Sequence, residues 1–116
     1  MNDPLALSIT EEQLQNATIQ TAHSLGWIVA HFRPALTQRG WRTPVQADGK
    51  GFPDLVLVRD RVIFVELKRE SGKPTRDQRV WMEKLEAAGA EVYLWKPSHL
   101  RSGEIEETLR RNGRAE

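Results

Sequence analysis

The chain contains no cysteine, which excludes disulfides and thiolate metal sites and fits a reducing compartment. Long hydrophobic runs are also missing, and no apolar stretch approaches the ~20 residues of a membrane-spanning helix. The opening stretch MNDPLALSITEEQ lacks the basic region and apolar block of a secretory signal. A cytoplasmic location and no membrane partner are therefore expected. Positive charge is absent from residues 1–32, which hold three acids (Asp3, Glu11, Glu12) and neither Lys nor Arg. There is no internal repeat and no low-complexity segment.

What is present fits a single domain over residues 1–116, long enough to bury a core, with 39% hydrophobic and 28% charged residues. The net charge of +1 conceals a division, because residues 33–79 hold eleven bases and six acids. A basic middle suits a phosphate-bearing partner, although charge runs of this size also occur as plain solvated surface.

That middle contains the stretch Gly51 to Arg69, GFPDLVLVRDRVIFVELKR. The runs Leu55–Val58 and Val62–Leu67 are rich in β-branched residues and flank Arg59-Asp60-Arg61, the pattern of a strand, a tight polar turn and a second strand. With the hairpin symmetric about Asp60, Asp54 faces Glu66, and alternation puts both on one face with Val56, Val58, Val62, Phe64 and Lys68. Two facing carboxylates on an apolar surface repel, and burying them costs more still. A divalent cation with oxygen ligands, Mg²⁺ or Mn²⁺, offsets that cost. Lys68 then stands where it can hold an attacking water or a developing charge. The plainer reading is a surface Glu-x-Lys pair beside a Pro-Asp turn; the joint spacing inside one hydrophobic hairpin favours the metal site.

Pro53-Asp54 followed by Glu66-Leu67-Lys68 resembles the PD-(D/E)xK nuclease signature. The fuller pattern GFPDLVLV, FVELK, Gln78-x-x-Trp81 and Ala88-Gly89-Ala90-Glu91-Val92-Tyr93 resembles its VRR-NUC branch, the virus-type replication-repair nuclease domain, in a stand-alone phage-like form. The resemblance covers about residues 10–109. It implies an α/β fold with a PD-(D/E)xK (restriction-endonuclease-like) core, a four-stranded mixed sheet flanked by helices in the order α-β-β-β-α-β-α. It implies Mg²⁺- or Mn²⁺-dependent phosphodiester hydrolysis, with the Leu67 carbonyl as a further metal ligand and no small-molecule cofactor. Domains of this length resemble Holliday-junction resolvases that act as homodimers. Branched DNA, a four-way junction above all, is then the expected partner, with roles in DNA repair. A flap or single-strand nuclease is the enzymatic alternative. A catalytically idle nucleic-acid-binding module and a structural Ca²⁺ site are the alternatives from other classes.

Outside the hairpin, Ser8-x-x-Glu11 and Thr10-x-x-Gln13 each fit a capping box opening the first helix, which Gly26 ends near Leu25. Glu11 shares the apolar stripe of Leu14, Thr18 and Leu25, whereas Glu12 faces solvent with Gln15, Asn16 and His23. The resemblance makes Glu11 a contributor to the metal site; its alternative role is at the helix cap and dipole. Trp27–Phe32 reads as the first strand, with His31 at its end as a structural histidine. Residues 33–51 are assigned no regular structure. Their Arg33, Arg39, Arg42 and Lys50 with Trp41 suit a nucleic-acid grip, and Trp41 suits a small loop core equally well. Lys73 and Arg76 join the candidate nucleic-acid contacts. Thr75-x-x-Gln78 opens a second helix to about Ala88, and the resemblance gives Gln78 a supporting role beside the site; helix capping is its other use. Trp81 is expected in the core. Glu91–Trp95 is the last strand, parallel to the one carrying Glu66 and closed by Pro97, and Glu104–Arg111 is a short final helix. Leu5, Leu7, Ile9, Ile105 and Leu109 are the candidate dimer contacts, unless they pack on their own domain.

Overall fold

The computed structural model describes residues 3–32, 35–37, 40–42 and 46–113, of which 35–37 and 40–42 are described as backbone alone. The chain begins with a four-residue helix α1 (Pro4–Leu7), in which the Asp3 side chain accepts the Leu5 N–H at 3.2 Å and Pro4 occupies the first turn. Asp followed by Pro is a helix-start signature. One turn is too short to show a hydrophobic period, so the segment was not expected to be helical.

The long helix α2 (Glu11–Ser24) opens on the Thr10/Gln13 capping box, which decides between the two candidate starts. It buries Leu14, Thr18 and Ala22 on one stripe and ends where Gly26 takes φ +90°. Strand β1 (Ile28–His31) follows, one residue shorter at each end than expected. Trp27 is instead a buried anchor whose Nε1–H donates to the Leu109 carbonyl at 2.8 Å.

The segment expected to lack regular structure contains a separate two-stranded pair, β2 (Ala35–Thr37) with β3 (Gly40–Arg42). Three-residue strands carry too little alternation to register against the surrounding Gly, Pro and polar residues. The central hairpin β4 (Leu55–Val58) and β5 (Val62–Leu67) has the expected register, with Leu55 opposite Val65 and Val58 opposite Val62. Helix α3 (Arg76–Ala87) crosses over to β6 (Glu91–Trp95), which pairs with β5 in parallel. The sheet order is β1-β4-β5-β6, antiparallel except for the last pair. This is the anticipated four-stranded mixed sheet flanked by helices.

Two helices close the chain, α4 (Pro97–Arg101) and α5 (Glu104–Arg110). Pro97 was expected only to end the strand, but its missing N–H and fixed φ also suit the first position of a helix. With α1, α4 and the β2–β3 pair added, the observed order is longer than α-β-β-β-α-β-α.

The core lies on one face of the sheet. Leu55, Leu57, Ile63, Val65 and Leu67 pack against Leu14 and Ala22 of α2 and Ile105 and Leu109 of α5, all fully buried. Full burial of such a side chain is worth about 1.5–3 kcal/mol. Ile105 and Leu109 are thus core residues and Ile9 packs against the core, leaving Leu5 and Leu7 as the exposed members of the proposed dimer set. The opposite face, with Val56, Val58 and Phe64, is only half-buried, and Ile28 at its edge is 69% exposed. Among the described residues no helix is long and apolar enough to cross a membrane.

Candidate active site

Asp54 and Glu66 continue the β4–β5 register beyond Leu55 and Val65, at the end of the hairpin away from its turn. Two backbone bonds fix Asp54. The Phe32 N–H donates to its carbonyl at 3.0 Å, and the Leu67 N–H donates to its Oδ2 at 2.8 Å. Burial still raises its pKa above the ordinary carboxylate value, against the Leu67 N–H and the Lys68 and His31 charges, which favour ionisation. Gly51, three residues earlier, has φ +88°, and a Cβ there would lie 2.6 Å from the Asp77 carbonyl carbon. This close approach packs the loop that delivers Asp54 against the first turn of α3.

Glu66 is 1% exposed, and among the described residues neither of its oxygens meets a hydrogen-bond donor, the facing Asp54 carboxyl being able to bond it only through a shared proton. Lys68 Nζ stands 3.9 Å from its Oε2. Burial first, and then the Asp54 carboxylate, push the Glu66 pKa up to about 8, with Lys68 opposing. A buried, unpartnered carboxylate is costly unless something pairs with it.

Glu11, the first residue of α2, lies on the Leu14–Thr18 side by helix register, although it is exposed, as Glu12 is. Burial and then the Asp54 carboxylate raise the Glu11 pKa, against Lys68 and Arg69. Glu11 therefore sits within the electrostatic reach of the pair. Among the described residues no three Asp, Glu, His or Cys side chains stand close enough to form a metal site by themselves. The donor chemistry nevertheless fits a hard divalent cation: two facing carboxylates, one with both oxygens unsatisfied, and a third acid nearby.

The raised pKa values carry a stability prediction for the metal-free protein. Its folded state holds a Glu66 proton that the unfolded chain releases near pH 4.5. That contribution is fully present below the unfolded pKa and is lost as pH rises through about 8. Its size is ~2–4 kcal/mol, with Asp54 and Glu11 acting in the same direction. Urea midpoints in chelator should fall from pH 5 to pH 8.5, and Glu66→Gln should flatten the decline. Identical pH slopes for the two proteins would show that Glu66 does not titrate in this way.

The remaining candidates disperse. The Gln78 side chain is committed to the α3 capping box, its Oε1 accepting the Thr75 N–H at 2.8 Å. Lys50 is exposed and 3.6 Å from Asp77, which brings it beside Arg76, the first residue of α3; Arg76 and Lys73 are exposed as well. Arg33 and Arg39 lie outside the described residues, as do the side chains of Trp41 and Arg42 in β3. His99 is structural, its Nδ1 accepting the Lys96 N–H at 2.9 Å.

Trp81 is half-buried, not core. It packs edge-on to Phe52 at 5.0 Å between ring centroids, and its Nε1–H donates to the Asp48 carbonyl at 3.0 Å. Phe52 also meets Phe32 and Phe64 edge-on at 5.4 and 6.1 Å. Sequence spacing does not reveal this aromatic cluster, because its four members are spread over residues 32–81. The adjacency of Phe52 to Pro53-Asp54 is the one local signal of it.

A mixed sheet whose central hairpin brings an Asp and a Glu-x-Lys together at one end defines a PD-(D/E)xK-type nuclease core. The family profile described as "VRR-NUC domain" matches residues 9–97, and the chain belongs to that family. It is therefore a nuclease domain and a hydrolase. A solved structure of a VRR_NUC domain shares the fold, with a TM-score of 0.60 and 23% sequence identity over 82% of this chain and 95% of that one. No curated protein matches the chain.

Proposed function

We propose that the protein is a metal-dependent, structure-specific DNA endonuclease, a Holliday-junction resolvase acting as a homodimer. The observation that carries the chemistry is Glu66, fully buried against the Asp54 carboxyl with no hydrogen-bond donor at either oxygen among the described residues. Asp54, Glu66, Glu11 and the Leu67 carbonyl would hold Mg²⁺ or Mn²⁺, which would supply Lewis-acid stabilisation of the charge that develops on the phosphoryl group and the leaving oxygen. The Leu67 N–H keeps Asp54 oriented before substrate arrives. Lys68, on the same face as Glu66, orients the attacking water or takes its proton. Lys50, Lys73 and Arg76 lie around the start of α3 and contribute phosphate contacts, as do Arg33, Arg39 and Arg42, with Trp41 stacking on a base.

The role given to Glu11 has its own test. Glu11→Gln should raise the Mn²⁺ concentration needed for half-maximal cleavage roughly 10-fold or more, as loss of a supporting carboxylate does elsewhere. Glu12→Gln should leave it unchanged. Impairment of the Glu12 variant alone would contradict the placement.

Symmetric resolution of a junction requires two active sites related by a two-fold axis. Exposed Leu5 and Leu7 are available for a self-complementary contact. Labelled four-way junction, flap, duplex and single-stranded DNA, offered with Mg²⁺ or Mn²⁺, test the substrate, and light scattering over a concentration series tests the assembly. Paired cuts in the junction by a dimer are expected. A monomer that only nicks would favour the flap or single-strand activity instead.

A further inference from the structure

Phe52, Phe32 and Trp81, with Gln46 and Gly49 of the intervening loop, line a cavity of about 480 Å³. The walls are mostly apolar; Gln46 supplies an amide at an exposed position, and Asp48, also exposed, is the one acid in the lining. The cavity approaches the carboxylate end of the sheet through Phe32, whose N–H bonds the Asp54 carbonyl, and Phe52. Phe52 is two residues before Asp54, and its ring packs on Phe64, two residues before Glu66 on β5. Phe64 and Glu66, two apart on β5, share a face and are about 7 Å apart.

The aromatic walls are held in place. Trp81 is tied by its indole N–H to the Asp48 carbonyl, and the neighbouring Gly51 is locked against the first turn of α3. Lys50 lies on the same loop, with its side chain 90% exposed. An apolar, aromatic-lined recess one nucleotide's reach from the catalytic acids, with a cation at its margin, has the chemistry of a nucleobase subsite. Aromatic faces stack on any base, and enzymes acting on nucleic acids commonly take an unpaired base out of the stack.

We infer that this cavity accepts one unstacked base flanking the cleaved phosphodiester and so makes the enzyme select DNA that is already open at that point. The inference rests on the nuclease reading above and deepens it. Trp81 offers its ring face to the base, Phe52, set nearly perpendicular to it, closes the adjoining wall, Gln46 meets the edge of the base, and Lys50 meets the adjoining phosphate. Trp81 acts by positioning, since it is the base and not the reacting phosphate that it touches.

Four-way-junction and flap oligonucleotides carrying a single 2-aminopurine on either side of the cleaved bond test this. They are bound to the intact protein in Ca²⁺, and their cleavage in Mg²⁺ is measured in parallel. At one flanking position the emission should change several-fold on binding. Trp81→Leu should abolish that change and lower kcat/KM roughly 5- to 150-fold, the range of losing one base stack. Trp81→Phe, which keeps a ring, should retain most of both, and Phe32→Leu serves as a second variant should Trp81→Leu melt early. Cleavage by the wild-type protein without any position-specific emission change would overturn the subsite and leave the nuclease reading intact. So would an emission change that survives Trp81→Leu. Failure of the wild-type protein to cut any of these DNAs would overturn the nuclease reading and the subsite with it.

Discussion

Replacing Asp54 or Glu66 with Ala should lower DNA cleavage by about three orders of magnitude or more, while DNA binding changes little. The size follows from the role: an ion held by these side chains contributes several kcal/mol to the transition state, and each 1.36 kcal/mol is tenfold in rate. Binding should survive because removing a negative charge does not weaken attraction to the DNA phosphates. Stability should move in the opposite direction to activity. Glu66 is buried with no hydrogen-bond donor at its oxygens among the described residues, and its pKa is pushed up to about 8 by burial and by Asp54. Without metal at pH 8, Glu66→Gln should therefore be more stable than the wild-type protein. A rise in stability together with a loss of turnover distinguishes a functional acid from a structural one. Full cleavage by either Ala variant at saturating Mg²⁺ would remove the pair from the mechanism.

The second large effect concerns folding. Arg59→Ala should cost about 3 kcal/mol or more and lower the melting temperature by roughly 10–20 °C. The Arg59 guanidinium donates to the Leu25 carbonyl at the end of α2 and to the Leu109 carbonyl in the last turn of α5, both at 3.1 Å, and it lies 4.7 Å above the Trp27 ring. It also reaches the Arg111 carbonyl. Arg61 adds bonds to the Thr108 and Arg111 carbonyls and an ion pair with Glu91 at 2.9 Å. Carbonyls at helix C-termini lack intrahelical partners and carry the negative end of the dipole, so a cation bonded to two such ends is well placed. Thermal melts of Arg59→Ala and Arg59→Lys decide the matter; Lys keeps the charge without the fork geometry and should recover only part of the loss. Melting within 2–3 °C of the wild-type protein for both variants would mean that the carbonyls are satisfied by water.

These two arginines show where local sequence stops informing. They count among the bases of residues 33–79 that suit a phosphate-bearing partner. In the fold they sit at the hairpin turn, opposite the carboxylate end, and these partners lie 30 to 52 residues away in the chain. No spacing rule exposes a contact of that range. The hairpin register, by contrast, was readable because β-branched runs on both sides of a three-residue polar turn leave few other pairings. From that register the confrontation of Asp54 with Glu66 followed. The Thr75/Gln78 box and the parallel β6 were readable for similarly local reasons. The one-turn helices α1 and α4 were missed because Asp3-Pro4 and Pro97 are start signals without a periodic segment behind them. Ile105 and Leu109, on a seven-residue helix, offered too short a stripe to reveal that both are fully buried. Trp81 shares a helix face with Leu85, but α3 contains no fully buried residue, so its indole finishes the aromatic cluster at the site and not the core.

The measurement that bears most directly on the central claim is a single-turnover time course of cleavage of a labelled four-way junction, in Mg²⁺ and in chelator, by wild-type protein and by Asp54→Ala. The account predicts cleavage by the wild-type protein in Mg²⁺ alone, with chelator and substitution each abolishing it. Cleavage that continues at the same rate in chelator, or in the Asp54→Ala protein, would contradict it.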